Sequence, residues 1–119
     1  MNKRYLYRAK AIDTGDLVFG SLVYSPKEDE YYIVEHNGEE LSWLVDENTI
    51  EQCTGYEDDE GYLIFENDEV IYYYYSHKSK GKVICKEGCF GFEDELKVFT
   101  ELRHANMFSI KLINPTYIE

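Results

Sequence analysis

The sequence predicts a mainly β protein that folds as a small antiparallel β-barrel with an N-terminal β-hairpin or sheet region. Apolar and polar residues alternate over many short segments, which is the period of a half-buried strand. These segments recur at roughly 8–12-residue intervals, and Gly, Asn and Asp turns divide them, as in antiparallel sheets and barrels. Twelve Tyr, six Phe and one Trp in 119 residues supply enough apolar surface for one compact domain.

The first half of the chain divides into five short strands. Asp13-Thr14-Gly15-Asp16 is a turn after the first strand, because Asp and Gly tolerate the left-handed backbone that turns require. The dipeptide Asn37-Gly38 between two β-rich segments is a strong hairpin signal. Strands are predicted over residues 5–12, 17–24, 31–35, 40–45 and 49–54.

The second half follows the same pattern. Glu87-Gly88 joins two β segments into a compact hairpin, and Asn114-Pro115 ends the last strand because proline cannot donate to a sheet. The glycine-bounded acidic turn at 55–61 is the one candidate boundary within the domain, between a sheet at 1–54 and a small barrel at 55–119. Strands are predicted over residues 62–65, 70–75, 82–86, 89–92 and 108–113.

The segment 94–104 is compatible with two structures. Leu96, Phe99 and Leu102 have near-helical spacing, and Asp94 or Glu95 could begin a helix. The run Val98-Phe99-Thr100 favours a strand instead. We therefore expect at most one short helix near 94–104.

The chain is strongly acidic, because 12 Lys+Arg against 24 Asp+Glu give a formal charge of −12. Nucleic-acid backbones attract Lys and Arg, so this charge argues against nucleic acid as a partner and favours basic partners or mimicry of nucleic acid. The lysine-rich segment 77–82 (Lys78, Lys80 and Lys82 beside Gly81) is interpreted as a solvated hairpin turn. No apolar run approaches ~18 residues and no secretory signal is present, so we expect a cytoplasmic protein without a membrane span.

No residue pattern predicts catalysis or a cofactor. His36, His77 and His104 are the side chains that titrate near neutrality, and none belongs to a nucleophile–base motif. Glycine-bracketed serines, phosphate-binding glycine loops and two-histidine metal motifs are absent from the sequence. We expect that the protein is not an enzyme.

The cysteines and the acidic turn predict no metal site. Cys53, Cys85 and Cys89 form no Cys-x-x-Cys motif and are expected to be reduced thiols. Cys85 and Cys89 fall on the two arms of one predicted hairpin, where they could lie across from one another. A calcium loop with Gly61 at its sixth position would place a Tyr and an Asn where carboxylate ligands are needed.

Aromatic residues supply the candidate interaction surface. In the predicted strand Tyr72-Tyr73-Tyr74-Tyr75, successive side chains alternate between faces, so two rings point away from the side that the other two bury. Outward rings pack within the chain, mediate self-association or meet another partner. Stacking on single-stranded bases is the least favoured of these because of the negative charge. The candidate surface comprises Tyr31, Tyr32, Trp43, Tyr72, Tyr73, Tyr74 and Tyr75.

One segment carries a motif that can be compared with a known family. Thr54-Gly55 precedes an acidic turn with Asp58 and Gly61, and Ile64 leads into Phe65-Glu66-Asn67-Asp68-Glu69-Val70. This pattern resembles the signature of the YopX-like proteins of bacteriophages and prophages. The final Asn114-Pro115, and Arg8-Ala9 and Phe19-Gly20 near the start, are similar too. The chain departs from the family pattern at Lys10, where an aromatic residue is usual, and at Asn67, where glycine is usual.

We interpret the motif as a structural corner. Glycines permit backbone angles that other residues resist, and Asn67 keeps the turn because Asn tolerates a positive φ. Glu66, Asp68 and Thr54 can accept hydrogen bonds from turn amides. The start of the strand at Asp68 also resembles the opening of SH3-like barrels. The motif residues are Thr54, Gly55, Asp58, Gly61, Ile64, Phe65, Glu66, Asn67, Asp68, Val70, Asn114 and Pro115.

The resemblance implies a phage-encoded accessory protein of the host cytoplasm, largely β and self-associating, with no established biochemical role. The aromatic excess and the lack of a catalytic grouping agree with a non-enzymatic protein that acts through protein–protein contacts and forms a homo-oligomer. The alternative, suggested by the charge, is an acidic inhibitor that occupies the nucleic-acid site of a basic host protein.

Overall fold

The structure of the protein is a computed structural model that describes residues 4–36, 40–74, 76–103 and 109–115. The described chain is mainly β and forms two antiparallel sheets, and α-helix is absent from these residues. The strands are β1 (Leu6–Lys10), β2 (Leu17–Ser25), β3 (Glu30–His36), β4 (Glu40–Val45), β5 (Glu51–Glu57), β6 (Leu63–Phe65), β7 (Glu69–Tyr74), β8 (His77–Lys86), β9 (Cys89–Asp94), β10 (Phe99–Glu101) and β11 (Ser109–Leu112). One turn of 3-10 helix, Glu47–Thr49, precedes β5.

The prediction of a mainly β protein is therefore confirmed. The predicted barrel, including the SH3-like barrel in the C-terminal half, is not, because neither sheet is closed over the described residues. The chain divides into two compact units, residues 1–53 and 54–119. No described helix is long and apolar enough to cross a membrane.

The first unit is built on the strand order β4-β3-β2-β1-β5. Its buried core consists of small and β-branched residues on one face of these strands: Ala9, Ala11, Val18, Ile33 and Val45. Ala9 and Ala11 lie two residues apart, as the period of a strand with one buried face requires. Gly20 of β2 lies so close to β3 that a Cβ there would meet the Val34 carbonyl oxygen at 2.1 Å. This close approach explains why glycine occupies the position.

The strands of the first unit also curve, which brings the end of β4 against the chain that follows β1. Ala11 and Val45 form an isolated bridge. On either side of it, the Ile12 N–H donates to the Leu44 carbonyl at 2.9 Å and the Asp46 N–H donates to a carbonyl of β1 at 3.0 Å.

The second unit contains a sheet in the order β10-β9-β8-β7-β11. The part of β5 from Thr54 onward and the strand β6 also belong to this unit. Its core is larger and more aromatic than that of the first unit and includes Ile64, Val70, Tyr72, Val83, Phe90, Phe92, Leu102 and Ile110. The hairpin predicted around Glu87-Gly88 is confirmed, because β8 and β9 pair on either side of it. Glu87 and Gly88 both have positive φ, at 52° and 81°.

Two sequence-based predictions in the second unit are wrong. The lysine-rich segment 77–82 is not a turn but the first part of β8, paired with β7 along its whole length. The cysteines of the hairpin do not lie opposite each other, because Cys85 pairs with Phe90 and Cys89 pairs with Lys86. The register is offset by one residue, so the two thiols lie on opposite faces of the sheet.

The segment 94–104 forms a turn and a strand where it is described. The Asp94 carboxylate accepts hydrogen bonds from the N–H groups of Leu96 and Val98, both at 2.9 Å. Lys97 then adopts a φ of 65°, which ends any helical path, and β10 follows. Leu102 and Arg103 follow β10, and His104 lies outside the described residues.

Candidate functional site

The family-like motif forms a hydrogen-bonded corner at residues 58–61, here called the acidic corner. The Asp58 side chain is buried and its Oδ1 accepts hydrogen bonds from the N–H groups of Glu60 at 3.0 Å and Tyr62 at 2.9 Å. Backbone hydrogen bonds close the same turn: the Asp58 N–H donates to the Tyr62 carbonyl, and the Gly61 N–H donates to the Asp58 carbonyl. Gly61 has a φ of 88°, a conformation that costs other residues energy.

Hydrogen bonds join the acidic corner to β11. The second oxygen of Asp58, Oδ2, accepts from the N–H of Leu112 at 3.1 Å. The Asp59 N–H donates to the Ile110 carbonyl at 2.9 Å, and the Ser109 hydroxyl donates to the Asp59 carboxylate. The closing strand and the central motif, which the sequence singles out separately, are therefore in direct contact.

The other polar side chains of the motif also bond to the backbone. Thr54 is fully buried, and its hydroxyl donates to the Ile64 carbonyl at 2.8 Å and accepts from the Tyr56 N–H at 3.1 Å. Asp68 Oδ2 accepts from the Phe65 N–H at 2.8 Å, which is the turn hydrogen bond expected from the sequence. These side chains stabilise backbone turns that the sheet hydrogen bonds do not satisfy.

Asn67 lies in the turn between β6 and β7. Its φ is 69°, so the expected left-handed conformation is present. Its N–H donates to the Val83 carbonyl at 2.8 Å, and the Val83 N–H in turn donates to the Asp68 carbonyl at 2.8 Å. The turn is thereby joined to β8. Within the described residues, no group of three or more His, Cys, Asp or Glu side chains is placed to hold a metal ion.

The structure separates the four consecutive tyrosines of the candidate surface. Tyr72 faces inward, is only 8% exposed and packs on Phe92 with ring centroids 4.2 Å apart. Burial raises the pKa of its phenol, an effect to which the nearby Asp94 adds and which a hydrogen bond with Ser79 partly offsets. Tyr73 faces outward and is 36% exposed. The Tyr74 side chain and Tyr75 lie outside the described part of the chain.

The three aromatic candidates of the first unit also lie on different faces. Tyr31 and Trp43 pack on the inner side, against the core. Trp43 Nε1 is buried and finds no hydrogen-bond acceptor among the described residues. Tyr32 lies on the outer side, half-buried, and its hydroxyl donates to Glu28 at 3.1 Å, which raises the pKa of the Tyr32 phenol. Tyr72, Tyr31 and Trp43 therefore stabilise the fold, and Tyr32 and Tyr73 are left as surface aromatics.

Around Tyr32 the outer side of the first sheet carries two adjacent rows without formal charge. The register places Val23, Tyr32 and Leu44 side by side in one row, and Ser21, Val34 and Ser42 in the next. Val23 is 47% exposed and the other apolar members are half-buried. We call these six residues the uncharged face. The sequence-based selection missed Val23, Val34 and Leu44, although the alternation along β2 and β3 was the signal that could have found them.

Around Tyr73 the outer side of the second sheet carries lysines. The register places Lys80, Ile71 and Lys111 in one row, and Lys78, Tyr73 and Ser109 in the next. The three lysines are exposed, and the opposite side of the same strands carries the core residues Val70, Tyr72 and Ile110. We call these six residues the lysine face. Lys111 was not selected from the sequence because its place beside β7 depends on the pairing of strands far apart in the chain.

The remaining candidates stay dispersed. His77 is exposed at the start of β8, the His36 side chain is not described and His104 lies outside the described residues. Cys85 and Cys89 are exposed, and Cys53 is buried.

Comparisons of the chain with protein-family models, with curated proteins and with solved structures found no match. The resemblance to the YopX-like proteins thus stays a prediction from the motif residues. Function has to be inferred from the two outer faces and the acidic corner.

Proposed function

We propose that the protein is a non-enzymatic interaction protein that acts through protein–protein contacts and associates with a second copy of itself through the uncharged face. The observation that carries the proposal is the pair of rows centred on Tyr32 and Val34, in which no side chain has a formal charge. The resemblance of 54–70 to YopX-like proteins supports a phage accessory role in the host cytoplasm.

Electrostatics favour this face as the contact between two copies. Each copy carries a formal charge of −12, so two copies repel each other wherever carboxylates meet. A contact centred on Val23 and Tyr32 brings apolar surface together with few charges in its middle. Tyrosine at the centre of such a contact contributes a large rigid area at low entropic cost.

The acidic corner supports a non-enzymatic role. Asp58, Thr54 and Asp68 direct their side-chain oxygens at backbone groups of the same unit. Carboxylates held in this way are occupied in fixing turns. The corner is accordingly assigned to the scaffold of the second unit.

The test is the oligomeric state over a range of concentrations. Sedimentation velocity should show a dimer fraction that grows with the concentration of the wild-type protein. Val23→Lys should shift the protein to monomer, because it places a solvated charge in the centre of the contact. Val98→Lys is the matched control, since Val98 is 55% exposed in the second unit and the change in net charge is the same. A wild-type protein that stays monomeric at all concentrations, or two variants that behave alike, contradicts the proposal.

A second candidate function is an acidic protein that occupies a basic host protein. The observation that favours it is a group of carboxylates at one end of the first sheet, where Asp29 accepts from the Tyr24 hydroxyl at 2.7 Å. This hydrogen bond, with burial and the charges of Asp29 and Glu47, raises the pKa of the Tyr24 phenol. Capture of basic, nucleic-acid-binding proteins from host lysate at low salt would support it. Failure to recover any would count against it.

A further inference from the structure

We propose that the lysine face binds single-stranded nucleic acid, with the Tyr73 ring stacked on a base and Lys78, Lys80 and Lys111 paired with phosphates. The proposal goes beyond the proposed self-association and uses different residues, in the other unit. It also differs from what the net charge alone suggests, because it depends on where the positive charges lie.

The sheet register gives the lysines a regular arrangement. Lys78 and Lys80 lie two residues apart on one side of β8, which corresponds to about 6.8 Å along a strand. Lys111 lies on β11, on the other side of β7, in the same row as Lys80. The three ammonium groups thus flank β7, whose outward side chains are Glu69, Ile71 and Tyr73.

The two rows of the lysine face carry positive charge in spite of the acidic composition, because they contain three lysines and no carboxylate. Carboxylates lie at their border: Glu69 is 3.6 Å from Lys80, Glu60 is 3.9 Å from Lys111, and Asp94 and Glu95 line a cavity with Lys78 and Lys80. The four side chains of the two ion pairs are more than half exposed, and exposed ion pairs of this kind contribute little to stability, so a phosphate can replace them. Charges elsewhere on the chain are screened beyond about 10 Å at moderate salt.

Tyr73 favours single-stranded nucleic acid over an acidic polypeptide as the ligand of the lysine face. Its ring lies between Lys78 and Ser109 in an outward position of a β-sheet. Aromatic residues on an open sheet surface with basic neighbours provide stacking platforms for unpaired bases. An acidic polypeptide would use the lysines but would gain nothing from the flat ring.

The test is fluorescence anisotropy of a labelled thymidine oligonucleotide of roughly 12 nucleotides at low salt. Wild-type protein should bind it, and the affinity should fall with a log–log salt slope of about −2, as expected for three phosphate contacts on a single strand. The triple variant Lys78→Gln, Lys80→Gln and Lys111→Gln should lose most of the binding and the salt dependence. The triple variant Arg4→Gln, Lys10→Gln and Lys27→Gln is the matched control, with the same net charge and with exposed basic residues of the first unit replaced.

Tyr73 is tested separately from the lysines. Tyr73→Phe should keep the affinity, because the ring remains, and Tyr73→Thr should weaken binding by roughly tenfold or more while the β-strand is preserved. Circular dichroism and thermal unfolding check that each variant is folded. Val23→Lys should bind as the wild type does, so that failure of the self-association proposal and failure of this one are distinguishable.

The proposal is overturned by no binding at low salt, by an equal loss in the two triple variants, or by equal affinities of Tyr73→Phe and Tyr73→Thr. Displacement of the oligonucleotide by polyglutamate at the same concentration of charge would also overturn it. That outcome would assign the face to an acidic polypeptide instead.

Discussion

Asp58 Oδ2 accepts a hydrogen bond from the backbone N–H of Leu112, 54 residues further along the chain, at 3.1 Å. The other oxygen of the same carboxylate bonds to two N–H groups of its own turn. One buried side chain therefore organises a local turn and attaches the last described strand to it. This connection gives a structural reason for the central motif and the closing strand to occur together.

Asp58→Ala should destabilise the protein by about 3 kcal/mol, because it removes the acceptor of three backbone N–H groups, two in a partly buried turn and one on β11. Urea unfolding measures the change. Asp59→Ala is the control, since Asp59 is exposed and its carboxylate bonds to a surface hydroxyl. Its cost should be below about 1 kcal/mol. Equal costs for the two variants would contradict the role assigned to Asp58.

Asn67→Gly should change the free energy of unfolding by no more than about 0.5 kcal/mol, because glycine adopts a φ of 69° without steric cost. Asn67→Val should destabilise by about 1–3 kcal/mol, because a β-branched residue resists this conformation. The two variants are compared by thermal and urea unfolding. A tolerated valine would mean that the turn changes its backbone conformation.

Arg8 and Glu51 face each other across β1 and β5, and Arg8 Nε donates to Glu51 Oε1 at 2.8 Å. The Arg8 side chain is 7% exposed and that of Glu51 is 21% exposed. Arg8→Met should cost about 2–4 kcal/mol, since it removes the guanidinium that pairs with a mostly buried carboxylate. Arg8→Met with Glu51→Leu should recover a large part of this loss. A double-mutant cycle in urea checks the coupling, and strictly additive effects would contradict it.

The pH dependence of stability should change in Tyr72→Phe. Burial raises the pKa of the Tyr72 phenol above its ordinary value of about 10, so the unfolded chain loses this proton first. The stabilising contribution is fully present below pH of about 10 and is lost as the pH rises through the higher pKa of the folded state. Between these values the wild type should lose stability more steeply than Tyr72→Phe. Parallel curves of unfolding free energy against pH would contradict this.

Much of the fold could be predicted because period-two alternation is a local property. The alternation predicted the first four strands close to their observed bounds, and Glu87-Gly88 was recognised as a hairpin turn from its composition. Boundaries were less accurate, since β5 continues to Glu57, into the segment predicted as a turn. The acidic corner begins only at Asp58, where the side chain starts to accept hydrogen bonds.

The errors have physical causes that lie outside short-range patterns. The segment 77–82 is polar and contains Gly81, so it resembles a loop, but its pairing with β7 stabilises it as a strand. For 94–104 the sequence left a short helix and a strand both open. The Asp94 carboxylate accepts hydrogen bonds from the Leu96 and Val98 N–H groups, which closes a turn, and β10 then pairs with β9. In both segments strand pairing decides between structures that the local sequence allows.

The candidate surfaces were the hardest to predict. The alternation of Tyr72 and Tyr73 is evident from sequence, but which ring faces the core depends on the contact between Tyr72 and Phe92. Lys111 joins Lys78 and Lys80 only through the pairing of β11 with β7. A surface that combines strands from distant parts of the chain has no signature within any one segment.

The one-residue offset between Cys85 and Cys89 in the hairpin of β8 and β9 gives the sheet one exposed thiol on each face, and each thiol can be labelled separately. Cys85 projects on the side that carries Val83, whereas Cys89 projects with Lys86, and both are exposed. Oxidation therefore does not form a disulfide between Cys85 and Cys89 within the hairpin. A fluorophore attached to Cys89 after Cys85→Ser would report from the side of the sheet that bears the lysines. The converse variant would carry the same dye on the reverse side as an internal reference.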